Sequence, residues 1–245
     1  VISIHADHTQ PSRARELGAA AFSGSLNAQL IGLGARRLQT TIDPVGSVAP
    51  RYIDGAEEEM AKAEAAFRQE TKRLGEGQAI WRKQWEEPTK AMLGHCVSAD
   101  LVLAAGGGGE NAGGAEVSAA DLIVGAGSPV LCMQKSANIA ANTILLGWKD
   151  TRETRRALRD GLPLLARAER VHVVSFADDE RSAASLHAAV ERLKLHGVRA
   201  DGEMKRPMES CVAEDFMQKA DQTGADLIVV GGYGHSRLRE WALGG

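Results

Sequence analysis

The sequence predicts an α/β fold built as two similar units, each an open, mostly parallel sheet flanked by helices. Three observations predict it. Short β-branched apolar runs alternate with helix-period segments along the 245 residues, which is the pattern of βαβ units around a parallel sheet. The phrase Ser98-Ala-Asp-Leu-Val-Leu returns as Gly224-Ala-Asp-Leu-Ile-Val. The stretch Ile4-His-Ala-Asp-His-Thr-Gln-Pro-Ser-Arg aligns without gaps to Leu146-Gly-Trp-Lys-Asp-Thr-Arg-Glu-Thr-Arg. The length suits two ordinary domains at roughly 100 to 200 residues each, and the expected division is 1–136 and 137–245, with 138–143 as linker.

In the first half, residues 1–6 read as a strand, 12–26 as a helix and 29–33 as a strand. A charged, Ala-rich helix follows over 53–74, then an extended segment over 79–86. Trp81 and Trp85, four apart in that segment, fall on one face by the two-residue alternation. A helix over 89–97 and strands over 100–104 and 129–133 end the half.

The order then restarts. Residues 143–148 read as a strand, 152–166 as a helix bent or weakened by Pro163, whose ring removes one backbone bond, and 171–176 as a strand. The helix over 181–196 carries Leu186, Val190 and Leu193 at helical spacing and stops at Gly197. Then come a strand over 198–205, a helix over 209–221 and a strand over 226–230.

Bulk properties exclude several classes. A net charge of −3, from 29 basic and 32 acidic side chains, gives no electrostatic footprint for nucleic acid or an anionic membrane. Three cysteines, Cys96, Cys132 and Cys211, lie far apart without a CxxC pair, so neither a disulfide framework nor a zinc site is expected. No apolar run approaches the roughly 20 residues needed to cross a bilayer, and no signal-peptide pattern opens the chain. A cytoplasmic protein is expected. The sequence opens inside a strand pattern and stops at Gly245 within a motif, so a further helix and strand are expected beyond it.

The most informative stretch runs from Ala225 to Gly245: an apolar strand breaks at Gly231 and Gly232, passes Gly234, and restarts as an amphipathic helical pattern. Such a turn aims backbone N–H groups and a helix N-terminus at one point, where an anion can sit. Gly231, two residues, Gly234, nine residues and Gly244, with the wording Tyr-Gly-His-Ser-Arg-Leu-Arg-Glu between them, resemble the universal stress protein family in its tandem two-domain form. The resemblance implies two Rossmann-like (adenine nucleotide alpha hydrolase-like) domains of five strands each. It also implies a role in stress survival, contacts with protein partners, and a homo-oligomer or an intrachain pseudo-dimer.

For ligands, the resemblance implies ATP or AMP, held by Gly231, Gly234, His235, Ser236, Arg237 and Gly244 around the phosphates and by an Asp at the end of strand one. That Asp is Asp7 in the first half, whereas the second has Lys149, which donates hydrogen bonds and accepts none. Nucleotide-binding relatives place Ser or Thr after the last glycine, where this chain has Gly245. Each feature also has a plainer reading. Gly231, Gly232 and Gly234 make a tight turn with Ser236 as helix cap, Arg237 and Arg239 face water, and the six glycines between Gly106 and Gly114 form a solvated loop.

No catalytic residues emerge: the chain has no GxSxG elbow, no Walker-type loop, and no Ser/His/Asp or Cys/His arrangement. No metal site is expected either. His5 and His8 flank Asp7 without a second cluster, and Asp178-Asp179-Glu180 reads as a helix cap. The sequence makes no positive case for an enzyme, and a redox or small-molecule carrier on the same sheet is the third reading.

Overall fold

The computed structural model describes residues 1–37, 50–106, 117–133, 139–206 and 212–232, and the chain divides into two compact units, Val1–Asn138 and Ile139–Leu243. In the first, strands β1 (Ile2–His5), β2 (Leu30–Ala35), β3 (Ala79–Gln84), β4 (Leu101–Ala105) and β5 (Val130–Met133) form one parallel sheet in the order β3-β2-β1-β4-β5. Every residue of β1 and β2 is buried. That explains why they read as unbroken apolar runs: a parallel sheet is covered on both faces.

Right-handed crossovers set which helices cover which face. Helices α1 (Gln10–Leu26) and α2 (Pro50–Glu70) lead from β1 outward to β3 and pack together, while α3 (Pro88–His95) and α4 (Ala119–Gly125) return past β4 to β5 and pack together. The sequence pattern missed α4. Its seven residues are too few for a periodic signal, although Ser118 caps it by accepting the Asp121 N–H. Trp81 packs on Phe67 of α2 with ring centroids 5.7 Å apart. Trp85 lies beyond the last residue of β3, so the expected shared strand face is not formed; its ring carries the Lys83 ammonium at 5.2 Å.

The second unit repeats the winding. Strands β6 (Thr143–Gly147), β7 (Arg170–Phe176), β8 (Ala200–Lys205) and β9 (Leu227–Val229) are parallel in the order β8-β7-β6-β9, and no fifth strand occurs among the described residues. Helices α5 (Arg152–Leu165), α6 (Glu180–Leu195) and α7 (Val212–Thr223) join them. Helix α5 runs through Pro163 and stops two residues later, so the lost backbone bond falls in its last turn. Leu186, Val190 and Leu193 are buried on α6, as their spacing predicts.

The internal alignment has a physical basis in both units. Thr9 caps α1 by accepting the Ser12 N–H, and Thr151 caps α5 by accepting the Thr154 N–H, the register the ungapped alignment assigns. Asp226 donates its N–H to the Thr143 carbonyl at 2.9 Å, and its carboxylate accepts the N–H groups of Asn142 and Thr143. Asp100 meets Val1 through the same two groups. The repeated Ala-Asp-Leu is therefore a clip that fixes the fourth strand of each unit beside the first.

Candidate functional site

The strand order reverses between β1 and β4 in one unit and between β6 and β9 in the other. Open parallel sheets bind ligands beyond the carboxyl ends of the strands at such a point, so these two places define the candidate sites.

In the first unit Asp7 sits in the loop from β1 to α1. Its carboxylate accepts the Thr9 N–H at 2.7 Å, and its own N–H donates to the Ser12 hydroxyl at 3.0 Å. That hydroxyl donates onward to Oε1 of Glu16 at 2.9 Å. Ser12 and Glu16 are fully buried, and Oε2 of Glu16 has no hydrogen-bond partner. Burial pushes the Glu16 carboxyl up to about 7, against the pull of the Ser12 hydrogen bond, because an ionised carboxylate is poorly solvated there.

Beside this chain of hydrogen bonds lies a small cavity of about 10 Å³, lined by Ile4, His5 and Arg15 together with Leu103, Ala104, Ala105 and Val117. Arg15 is only 8% exposed. Burial holds the His5 imidazole below its ordinary pKa, and its Nε2 lies 3.5 Å from the Ala35 carbonyl. Sequence reasoning found neither Arg15 nor Glu16. The only signal is their place on the i, i+3, i+4, i+7 stripe that Ser12, Ala19, Phe22 and Ser23 share. Of the glycine tract, Gly106 extends the ladder by donating its N–H to the Met133 carbonyl; residues 107–116 lie outside the described residues.

In the second unit Lys149 stands where Asp7 stands in the first. Just before it, Trp148 is buried, donates its backbone N–H to the Val174 carbonyl, and donates its indole N–H to the Ser185 hydroxyl of α6 at 3.0 Å. Its counterpart Ala6 makes the matching backbone bond to Leu33. Gly231 passes against the first turn of α5 so closely that a Cβ there would stand 2.6 Å from the Thr154 nitrogen and 2.8 Å from its hydroxyl. Gly234, His235, Ser236, Arg237 and Gly244, with Gly245, lie outside the described residues, so of the expected phosphate-binding set only Gly231 is among the described residues.

Other chemistry is sparse. No group of three or more His, Cys, Asp or Glu residues converges on a metal-sized site among the described residues. Asp179 caps α6 by accepting the Ser182 N–H. Cys96 is buried and Cys132 half-buried, and burial raises both thiol pKa values, which disfavours the reactive thiolate. Among the described residues no helix is long and apolar enough to cross a membrane.

No protein-family model matches the chain, and no curated protein matches it by sequence. Solved structures do. A universal stress protein from Archaeoglobus fulgidus DSM 4304 superposes with a TM-score of 0.68 over 98% of this chain and 88% of that one, at 13% identity. A protein of the universal stress protein family from Burkholderia pseudomallei is 24% identical over 42% of this chain and 92% of its own, but its TM-score of 0.36 adds no weight. At such identities the likeness is one of architecture: the chain carries the universal stress protein fold, wound twice from parallel βαβ units.

Proposed function

We propose that the protein is a cytoplasmic stress-response protein of the universal stress type that works through contacts with other proteins and without catalytic machinery. Its two units are read as an intrachain pseudo-dimer, and whole chains as capable of self-association. The observation that carries the reading is the Asp7 carboxylate, which already holds the Thr9 N–H at 2.7 Å, with Lys149 in the corresponding place of the second unit.

A second reading rests on Gly231. The strand end there runs against the start of α5, where the Thr151 and Thr154 hydroxyls lie 3.2 Å apart, and helix N-termini favour anions. On that reading the second unit binds ATP or AMP through Gly231, Gly234 and Gly244 and hydrolyses ATP slowly. Calorimetric titration with ATP and AMP, on the parent protein and on Gly234→Val, decides between them. Absence of binding supports the nucleotide-independent role. Micromolar binding that Gly234→Val abolishes supports the second reading, and a hydrolysis assay follows.

A further inference from the structure

We propose that the second unit binds a small molecule by its phosphate or carboxylate group at the amino ends of β7 and β8, where Arg170 and Arg199 stand side by side. This place is the opposite end of the parallel sheet from Gly231, which follows the carboxyl end of β9. It is therefore independent of the glycine loop and of the Asp7 turn in the first unit.

Three observations carry the inference. First, a groove of about 520 Å³ opens there, with Glu169, Arg170, Lys194, Val198, Arg199 and Asp201 in its lining. That volume falls in the range of small-molecule clefts, and all of these residues lie in the described stretch 139–206. Second, the acids of the groove do not neutralise its arginines. Arg170 opens β7, Arg199 immediately precedes β8, and the Arg199 carbonyl accepts the Val171 N–H at 2.9 Å, so the two arginines enter neighbouring strands together. Like charges placed in this way repel, and neither guanidinium forms an ion pair or hydrogen bond among the described residues. Asp201 is taken by His172 at 2.8 Å, and Lys194 pairs with Glu191 at 3.0 Å. Glu169 is left as one acid against two arginines, and a bound oxyanion removes the imbalance.

Third, a fixed imidazole adjoins the arginines. His172 lies two residues beyond Arg170, Asp201 lies two beyond Arg199, and His172 and Asp201 are register partners. The two-residue alternation of strands therefore places the pair on the same sheet face as the arginines. The Asp201 carboxylate can only accept, so Nδ1 of His172 carries the proton and Nε2 is the ring nitrogen left for a ligand; 16% of the side chain is exposed. The planar forks of two arginines match the oxygens of phosphate and carboxylate, and Val198 gives the groove an apolar wall.

The test uses the full chain. Backbone amide resonances are followed by NMR during titration with inorganic phosphate, with succinate and with chloride of matched ionic strength. The proteins are the parent, Arg170→Gln, Arg199→Gln and, as a control for net charge alone, Arg181→Gln at the far end of α6. The expected result is a saturable shift of the amides of 170–172 and 199–201 in phosphate or succinate and not in chloride. Each groove variant is expected to raise the Kd about tenfold or more, while Arg181→Gln leaves it unchanged. Phosphate response alone assigns a phosphoryl ligand, succinate response alone a carboxylate, and response to both a general oxyanion site; each supports the proposal. Shifts that fail to saturate, that chloride reproduces, that appear only at Gly231 and Gly232, or that Arg181→Gln weakens as much as the groove variants do overturn it. The spectra of the variants show directly whether each is folded.

Discussion

The Ser12 hydroxyl donates to Oε1 of Glu16 at 2.9 Å, and both side chains are sealed from solvent within α1. The charged groups that act on Glu16 are Asp7 from the loop above, Glu70 from α2 and Arg15 beside it, all weaker than the effect of burial. Its carboxyl, raised from 4.5 to about 7, makes the stability of the first unit depend on pH. Since the folded pKa exceeds the unfolded one, the contribution is fully present below about 4.5 and is lost as pH rises through 7. The whole effect is on the order of 3 kcal/mol. Urea unfolding between pH 5 and 8.5 is expected to show a midpoint falling with pH in the parent and a flatter profile in Glu16→Gln. A parent profile without that fall would contradict the assignment.

Gly32 and Phe67 are expected to be coupled. A Cβ on Gly32 in β2 would stand 2.5 Å from the Phe67 ring, which is fully buried on α2, so Gly32→Ala forces the ring away at about 1 to 3 kcal/mol. Phe67→Leu removes the colliding ring atoms at a cost of its own. The double variant is then expected to be more stable than the sum of the two single losses predicts. Additive losses in a double-mutant cycle would place the clash elsewhere.

How much of this was legible from the sequence differs between framework and site. The strands were readable because burial on both sheet faces leaves a continuous apolar run, as in Leu101 to Ala105. The repeat was readable because the Asp100 and Asp226 clips need the same residue in both units. The polar interior of α1 was not. Ser12, Arg15, Glu16 and Ser23 are buried, but in sequence they look like a solvated helix face, and only the close packing of α1 on the sheet and α2 turns them inward. At the sites, Asp7 follows β1 in the loop to α1, and its engagement by Thr9 is a local turn that no spacing rule announces. Gly231 is where the glycine pattern puts it, and its packing against Thr154 depends on a helix some eighty residues earlier.

Asp226→Ala tests the clip directly. The carboxylate accepts from two backbone N–H groups, at 3.0 and 3.2 Å, and is solvent-exposed, so its loss is expected to cost about 1 kcal/mol. Amide exchange read by NMR offers the sharper readout. The Asn142 and Thr143 protons are expected to exchange faster in Asp226→Ala, while those in the middle of β7 keep their protection. Unchanged exchange at both amides would mean the clip contributes nothing to holding β9 beside β6.

Gly231→Ala separates packing from ligand binding in the second unit. The added methyl would meet the Thr154 nitrogen at 2.6 Å and the Glu153 carbonyl carbon at 2.9 Å. These are backbone atoms of a capped helix start and cannot step aside as a flexible side chain does, so the variant is expected to lose about 1 to 3 kcal/mol. Gly234→Val is the companion, chosen for the glycine spacing that the nucleotide reading depends on. Denaturant unfolding of both without nucleotide, followed by ATP titration, gives the answer. A loss of stability in Gly231→Ala that precedes any ligand makes Gly231 a packing residue first. Unchanged stability, with ATP binding present in the parent and gone in the variant, would assign the glycine to the phosphates instead.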